Sequence, residues 1–332
     1  MKKLIVIIVT GLYIAVTLLA CGVEEDAAVA AAAAAVEYPI DIVATTGMIG
    51  DIVRQVVAQN GSVHVLMGEE IDPHLYRPTR ADIARMQRAD IIFYNGLHLE
   101  GRMGDTLIQL ARTRPVFAVT ELVDEAILLE DQEYEAAFDP HLWMDVSLWM
   151  KAVEVVTAAL SELDPAGAHE YRSNADAYLA ELETLDDYVR EIMATIPRER
   201  RTLITAHDAF GYFGEAYDIE VIGVQGMSTE SEAGLEEINS LVDYVVENEV
   251  AAVFAETTVP DRALMAVIEG AAARGQRVQI GGELFSDAMG AAGSYEGTYV
   301  GMIDHNATTV VRALGGDAPE RGLHGRLSLE NR

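Results

Sequence analysis

The sequence predicts an α/β protein of two (β/α) lobes with parallel-rich sheets, joined by one long linking helix. Three observations carry that prediction. Short apolar runs alternate with amphipathic stretches from Ile40 to Thr120, and the alternation returns after Arg201. Between the two, apolar or aromatic residues recur every three or four positions, which is a helical stripe. Four metal-capable side chains, His74, His141, His207 and Asp287, follow strand-like runs at wide intervals, where open α/β sheets place their ligands.

In chain order the first element is an export signal. Lys2-Lys3, the apolar run Leu4 to Ala20 and then Cys21 supply a basic region, an apolar region and a small residue before the break. Leu18-Leu19-Ala20-Cys21 resembles a bacterial lipobox, in which the cysteine is acylated and becomes the mature N-terminus. Leu19 is bulkier than the usual residue there. The alternative is an uncleaved transmembrane anchor. Either way the rest of the chain is expected outside the cytoplasm, tethered to a membrane, and no later segment is long and apolar enough to span one. Residues 1–20 are assigned as signal peptide, and residues 21–37 as lipidated Cys21 with a flexible tether that is acidic and then nearly pure alanine.

Cys21 is the only cysteine, which excludes a disulfide framework, a thiolate metal site and a cysteine nucleophile. The net charge of −31 argues against nucleic acid or anionic lipid as partners. It would concentrate cations nearby, although a solvated acidic face explains the same charge.

The first lobe is assigned to residues 38–163. Ile40 to Ala44, Val63 to Met67, Ile91 to Tyr94 and Val116 to Val119 read as strands. Thr79 to Arg88 reads as a helix, with Thr79 and Asp82 at capping-box spacing. The linking helix is assigned to residues 164–197. Asp164-Pro165 supplies an N-cap and a first-turn proline, and Pro197 stops it. Its stripe is Tyr171, Ala175, Tyr178, Leu182, Leu185, Val189, Ile192 and Ile196. Such a stripe suits a coiled-coil dimer seam or a rod lying across both lobes of one molecule. With an α/β lobe on each side the rod is favoured, and with it a monomer. The second lobe, residues 198–332, has strands at Thr202 to Thr205, Glu220 to Val224, Ala251 to Ala255 and Arg277 to Ile280.

Three imidazoles and one carboxylate suit a divalent transition metal, with zinc's tetrahedral preference met by the set. A bidentate Asp287 would raise the coordination number and suit manganese or ferrous iron. With two ligands from each lobe, the expected site is the cleft between them. His64, His98, His169, His305 and His324 lack a comparable setting. Glu69, Glu70, Asp139 and Asp208 are candidates to orient the ligand imidazoles. A metal hydrolase is the enzymatic alternative, with Glu70 activating water. There is no His-Glu-x-x-His helix, and Asp287 would fill the fourth position. The Gly-rich stretch Gly281 to Gly301 lacks the lysine that a phosphate loop needs.

Five segments carry a family resemblance: Asp72-Pro73-His74-Leu75-Tyr76-Arg77-Pro78-Thr79, Asp139-Pro140-His141-Leu142-Trp143-Met144-Asp145, and Thr205-Ala206-His207-Asp208-Ala209-Phe210-Gly211-Tyr212-Phe213, with Phe254-Ala255-Glu256-Thr257 and Leu284-Phe285-Ser286-Asp287-Ala288-Met289-Gly290. They resemble the motif blocks of the metal-specific solute-binding lipoproteins of ABC importers, the TroA-like or ZnuA-like family, over about Ile40 to Leu314. The resemblance implies two lobes on one rigid helix, with His74, His141, His207 and Asp287 as the metal ligands. It implies capture of metal outside the membrane, delivery to a permease with a cytoplasmic ATPase, and no catalysis. Some members have been labelled surface adhesins, but no repeat or wall-anchoring pattern supports that here. Zinc-specific members often carry a histidine- and acid-rich loop before the second ligand, and Glu121 to Phe138 is acidic without histidine. Many manganese members have glutamate at the third ligand, where this chain has His207. The resemblance therefore implies zinc or manganese, with ferrous iron third.

Overall fold

Parallel strands buried on both faces need near-continuous apolar runs, and two of the runs read from the sequence form strands whose bounds match the reading residue for residue. These are β1 (Ile40–Ala44) and β3 (Ile91–Tyr94). The computed structural model describes residues 36–130 and 137–328. The expected signal peptide, Cys21 and most of the tether lie outside the described residues.

The first sheet contains β1, β2 (Gly61–Val65), β3 and β4 (Val116–Ala118) in the order β2-β1-β3-β4, all parallel. The second contains β5 (Thr202–His207), β6 (Glu220–Gln225), β7 (Ala252–Glu256) and β8 (Gln279–Leu284) in the order β6-β5-β7-β8, again all parallel. One wiring is thus used twice. In each sheet the chain order reverses between the two middle strands, and a crevice opens there at the strand C-termini.

Helices cover the sheets: α1 (Gly47–Val57), α2 (Arg80–Met86), α3 (Gly104–Leu110) and α4 (Val146–Leu163) before the central helix α5 (Ala168–Met193). After it come α6 (Gly211–Tyr217), α7 (Leu235–Glu247), α8 (Arg262–Ala273) and α9 (Tyr299–Ala313). No described helix is long and apolar enough to cross a membrane. The capping box read from sequence forms at α2: Thr79 Oγ1 accepts the Asp82 N–H, and Asp82 Oδ2 accepts the Thr79 N–H at 2.7 Å. Val43, Ile92, Met86 and Leu107 pack in the core of the first lobe, and Ile204, Val253, Leu264 and Val267 in that of the second.

The linking helix starts later than Asp164-Pro165 suggests. Asp164 ends α4, and its carboxylate accepts the hydroxyls of Tyr38 and Tyr171 together with the backbone N–H groups of Ala166 and Gly167 in the turn before α5. A turn over residues 165–167 intervenes, and α5 is about 39 Å long at 1.5 Å per residue, shorter than residues 164–197 would make it. Its stripe is buried throughout, from Tyr171 to Ile192. The helix packs on α1 and α4, which precede it in the chain, and on α6 and α9, which follow it. Tyr178 donates to Asp51 of α1 at 3.0 Å, and Tyr188 meets Thr308 of α9 at 3.2 Å. The stripe is therefore satisfied within one chain.

Candidate metal centre

The four candidate ligands come together. His207 closes β5, Asp287 follows β8, and His74 lies in the loop after β2. His141 is the exception to the strand-end expectation. It follows a long excursion after β4 and opens a short 3-10 turn before α4. The ligand atoms all lie within 4.8 Å of one another, and all four side chains are buried.

The separations fit donors around one ion. His74 Nε2 lies 3.3 Å from His141 Nε2. The Asp287 carboxylate oxygens lie 3.3 Å from His141 Nε2, 3.4 Å from His207 Nε2 and 3.7 Å from His74 Nε2. Two ligands on a tetrahedral zinc with bonds of about 2.0–2.1 Å sit about 3.3–3.4 Å apart, which matches the shorter of these distances. His207 Nε2 and both Asp287 oxygens are buried with no well-aligned hydrogen bond, only the long contacts among the four side chains. A buried polar atom left that way is costly unless something else meets it, and a divalent cation satisfies all three at once. Both Asp287 oxygens face the cluster, so the set also suits a higher coordination number.

Two of the imidazoles are held by carboxylates. Asp139 Oδ1 accepts both the backbone N–H of His141, at 2.9 Å, and its Nδ1–H, at 2.7 Å. Glu256 does the same for His207: Oε2 meets Nδ1 at 2.5 Å, and Oε1 accepts the backbone N–H at 2.8 Å. A carboxylate on Nδ1 fixes the tautomer that leaves Nε2 free for metal. Of the four orienting candidates read from sequence, Asp139 takes this role. Glu69 instead accepts the Ala292 N–H at 3.0 Å. Among the described residues, neither Glu70 nor Asp208 bonds a ligand imidazole.

Glu256 was missed as an orienting residue, although it lies in one of the motif blocks. The signal is register. β5 and β7 are adjacent with Thr205 opposite Phe254, and continuing the pairing brings His207 beside Glu256. Gly211, in the His207 block, allows Asp139 its place, since a Cβ there would lie 2.9 Å from Asp139 Oδ2. Trp143 ties the halves together, because its indole N–H donates to the Ser286 carbonyl, beside Asp287, at 2.9 Å.

The electrostatics follow the same contacts. Burial lowers the proton affinity of His141, but Asp139 and Asp287 outweigh it and hold the imidazole at about 9. Burial likewise opposes protonation of His207, and Glu256 and Asp287 carry it well above the ordinary histidine range. Burial pushes Asp287 up, but His207 and His141 hold it well below the usual carboxylate range. For His74 burial outweighs the attraction of Asp287, no second carboxylate helps, and the value falls to about 3. The metal-free cleft is an anionic carboxylate among protons that a cation must displace.

Residues 42–313 match the family described as zinc-uptake complex component A, periplasmic. The chain is 47% identical over 277 residues to the zinc-binding protein TroA of Treponema pallidum, covering 82% of this chain and 88% of that one. It is 39% identical over 303 residues to the manganese-binding lipoprotein MntA of Bacillus subtilis, covering 91% of this chain and 97% of that one. The solved structure of the periplasmic zinc-binding protein TroA from Treponema pallidum superposes with a TM-score of 0.80 at 45% identity, covering 82% of this chain and 98% of that one.

Proposed function

We propose, from the premise that the chain belongs to the zinc-uptake component A family, that it is the extracytoplasmic substrate-binding component of an ABC importer for a divalent transition metal. The observation that carries this reading is the convergence of three imidazole Nε2 atoms and the Asp287 carboxylate around one point, with His207 Nε2 and both Asp287 oxygens lacking a well-aligned hydrogen bond. The family is one of transporter substrate-binding components and not of enzymes. The hydrolase and adhesin alternatives therefore give way to the transport reading.

The metal is zinc or manganese. The relatives named for zinc and for manganese support both, and the donor set admits both. His74, His141, His207 and Asp287 are its ligands in this reading. Asp287 supplies the anionic charge, and Asp139 and Glu256 present His141 and His207 through Nε2. The partners are the metal ion and the importer's membrane permease with its ATPase. The chain acts as a monomer, a reading supported by the burial of the α5 stripe within one molecule. Residues 38–163 and 198–332 act as the lobes on either side of α5. Acylation of Cys21 anchors the protein outside the cytoplasm to the cell membrane, on a periplasmic or outer face, in keeping with a relative named as a lipoprotein.

Elemental analysis and competitive titration of the chain from Glu24 onward, with zinc, manganese and ferrous ions, test the reading. One metal equivalent per chain, lost in Asp287→Asn, is expected. A wild-type chain that retains none of the three metals overturns the proposal.

A further inference from the structure

The two Asp-Pro-His tripeptides have one sequence and two uses. In Asp139-Pro140-His141 the carboxylate serves its own histidine twice, at the backbone and at Nδ1. In Asp72-Pro73-His74 the Oδ1 atom accepts the His74 backbone N–H at 2.8 Å, but Oδ2 turns away and accepts the Thr229 hydroxyl at 2.6 Å. Among the described residues no carboxylate meets His74 Nδ1, whereas Asp139 and Glu256 hold the other two rings. His74 is also the most accessible of the four ligands, 6% exposed against 2% for Asp287 and 0% for the other two.

Thr229 belongs to the other half of the molecule, in loop 226–234 between β6 and α7. That loop lies over His74. Met227, Ser228 and Glu230 line a cavity of about 490 Å³ together with His74 and His98. The loop is fastened to the first lobe at two neighbouring residues, by Thr229 on Asp72 and by Glu230 on Arg102 at 2.8 Å. The Arg102–Glu230 pair is largely solvated, and such pairs contribute little. The Asp72–Thr229 bond is part-buried and charge-assisted, the stronger kind.

We propose that Asp72 is a positioning residue that clasps loop 226–234 over His74 through Thr229, which makes His74 the labile ligand and this edge of the cleft the place where metal is exchanged. The inference rests on the metal-capture reading above. One carboxylate then reports on both lobes, because the bond that shapes the His74 loop and the bond that shuts the loop over it share its two oxygens. Opening the clasp frees His74 while His141 and His207 keep their carboxylate supports.

The test is the rate of zinc release into excess chelator, followed by stopped flow, for wild type, Thr229→Val and Thr229→Ser. Thermal midpoints of the metal-free forms are measured in parallel. A hydrogen bond to a charged acceptor corresponds to roughly a tenfold to hundredfold effect, so Thr229→Val should release zinc at least about tenfold faster. Thr229→Ser, which restores the hydroxyl, should return the rate to near wild type, and the metal-free midpoints should agree. Release from Thr229→Val at the wild-type rate overturns the clasp, and so does a lowered metal-free midpoint without faster release. A wild-type chain that retains no zinc would instead remove the metal-capture reading, and the clasp with it.

Discussion

Replacing Glu256 by glutamine isolates what an orienting carboxylate does here, because the change conserves size, removes the charge and turns one acceptor into a donor. Glu256 accepts from both the Nδ1–H and the backbone N–H of His207. A carboxamide has one oxygen for these two donors. If the oxygen keeps the backbone bond, the amide NH₂ faces Nδ1 and is satisfied only when Nδ1 carries the lone pair. The imidazole proton then sits on Nε2, the atom that must face the metal. Zinc must first reverse that tautomer, so the affinity should fall by about 10–100-fold, or about 1.4–2.7 kcal/mol. An opposing effect is built in, since Glu256 also raises the proton affinity of His207 in the empty cleft. The glutamine variant therefore meets less competition from protons, and its defect should widen as pH rises from 6 to 8. Competitive titration against a chromophoric chelator at several pH values reads both effects. Equal dissociation constants for variant and wild type across that range would refute the orienting role of Glu256.

Protons held on His141, at about 9, and on His207 must leave when metal binds. Calorimetry in buffers of different ionisation enthalpy should find protons released at pH 7, with affinity falling with acidity from well above the ordinary histidine range. No release would contradict the shifts. For His141 the folded value is raised, so the stability it adds to the metal-free protein is complete below about pH 6.5 and lost as pH rises through about 9, which thermal melts should show as a falling metal-free midpoint. Asp287→Asn should abolish the metal-dependent gain in thermal midpoint while leaving the metal-free protein folded, because each lobe keeps its own core; an unfolded apoprotein would make Asp287 structural. Gly211→Ala places a methyl 2.9 Å from Asp139 Oδ2 and should weaken zinc binding through His141, measured by the same titration. Leu182→Ala in the buried stripe of α5 should cost about 2–5 kcal/mol in chemical denaturation.

Most of the architecture was legible because parallel strands advertise themselves. Ile91-Ile92-Phe93-Tyr94 is apolar on both faces, and it forms β3 at the expected residues. β2 lies earlier than the apolar run Val63 to Met67, because its pairing with Ile40–Ala44 uses backbone groups and takes in Gly61 and Ser62 regardless of polarity. α5 starts later than Asp164-Pro165 suggests, because Asp164 closes α4 and caps a separate turn over residues 165–167, and its bond to Tyr38 is remote in sequence. The four side chains that cluster were legible from residue type and from their motif blocks. Glu256 was not, since its role depends on which strand lies beside β5 and in what register. The same holds for Asp72, whose tripeptide is identical to that of Asp139 and whose second partner is more than a hundred residues away.

The doubled strand order has a consequence for how affinity is set. In the proposed site each lobe presents two donors, and two donors alone hold a divalent ion weakly. Binding is therefore bivalent within one molecule, and its strength depends on the effective concentration of one pair at the other. A stiff helix makes that concentration high and narrowly defined, and a flexible linker would dilute it. Substitutions along α5, far from any ligand, should then retune metal affinity with the coordination sphere unchanged. An importer's substrate-binding component can be adapted to scarcer or more plentiful metal through that lever.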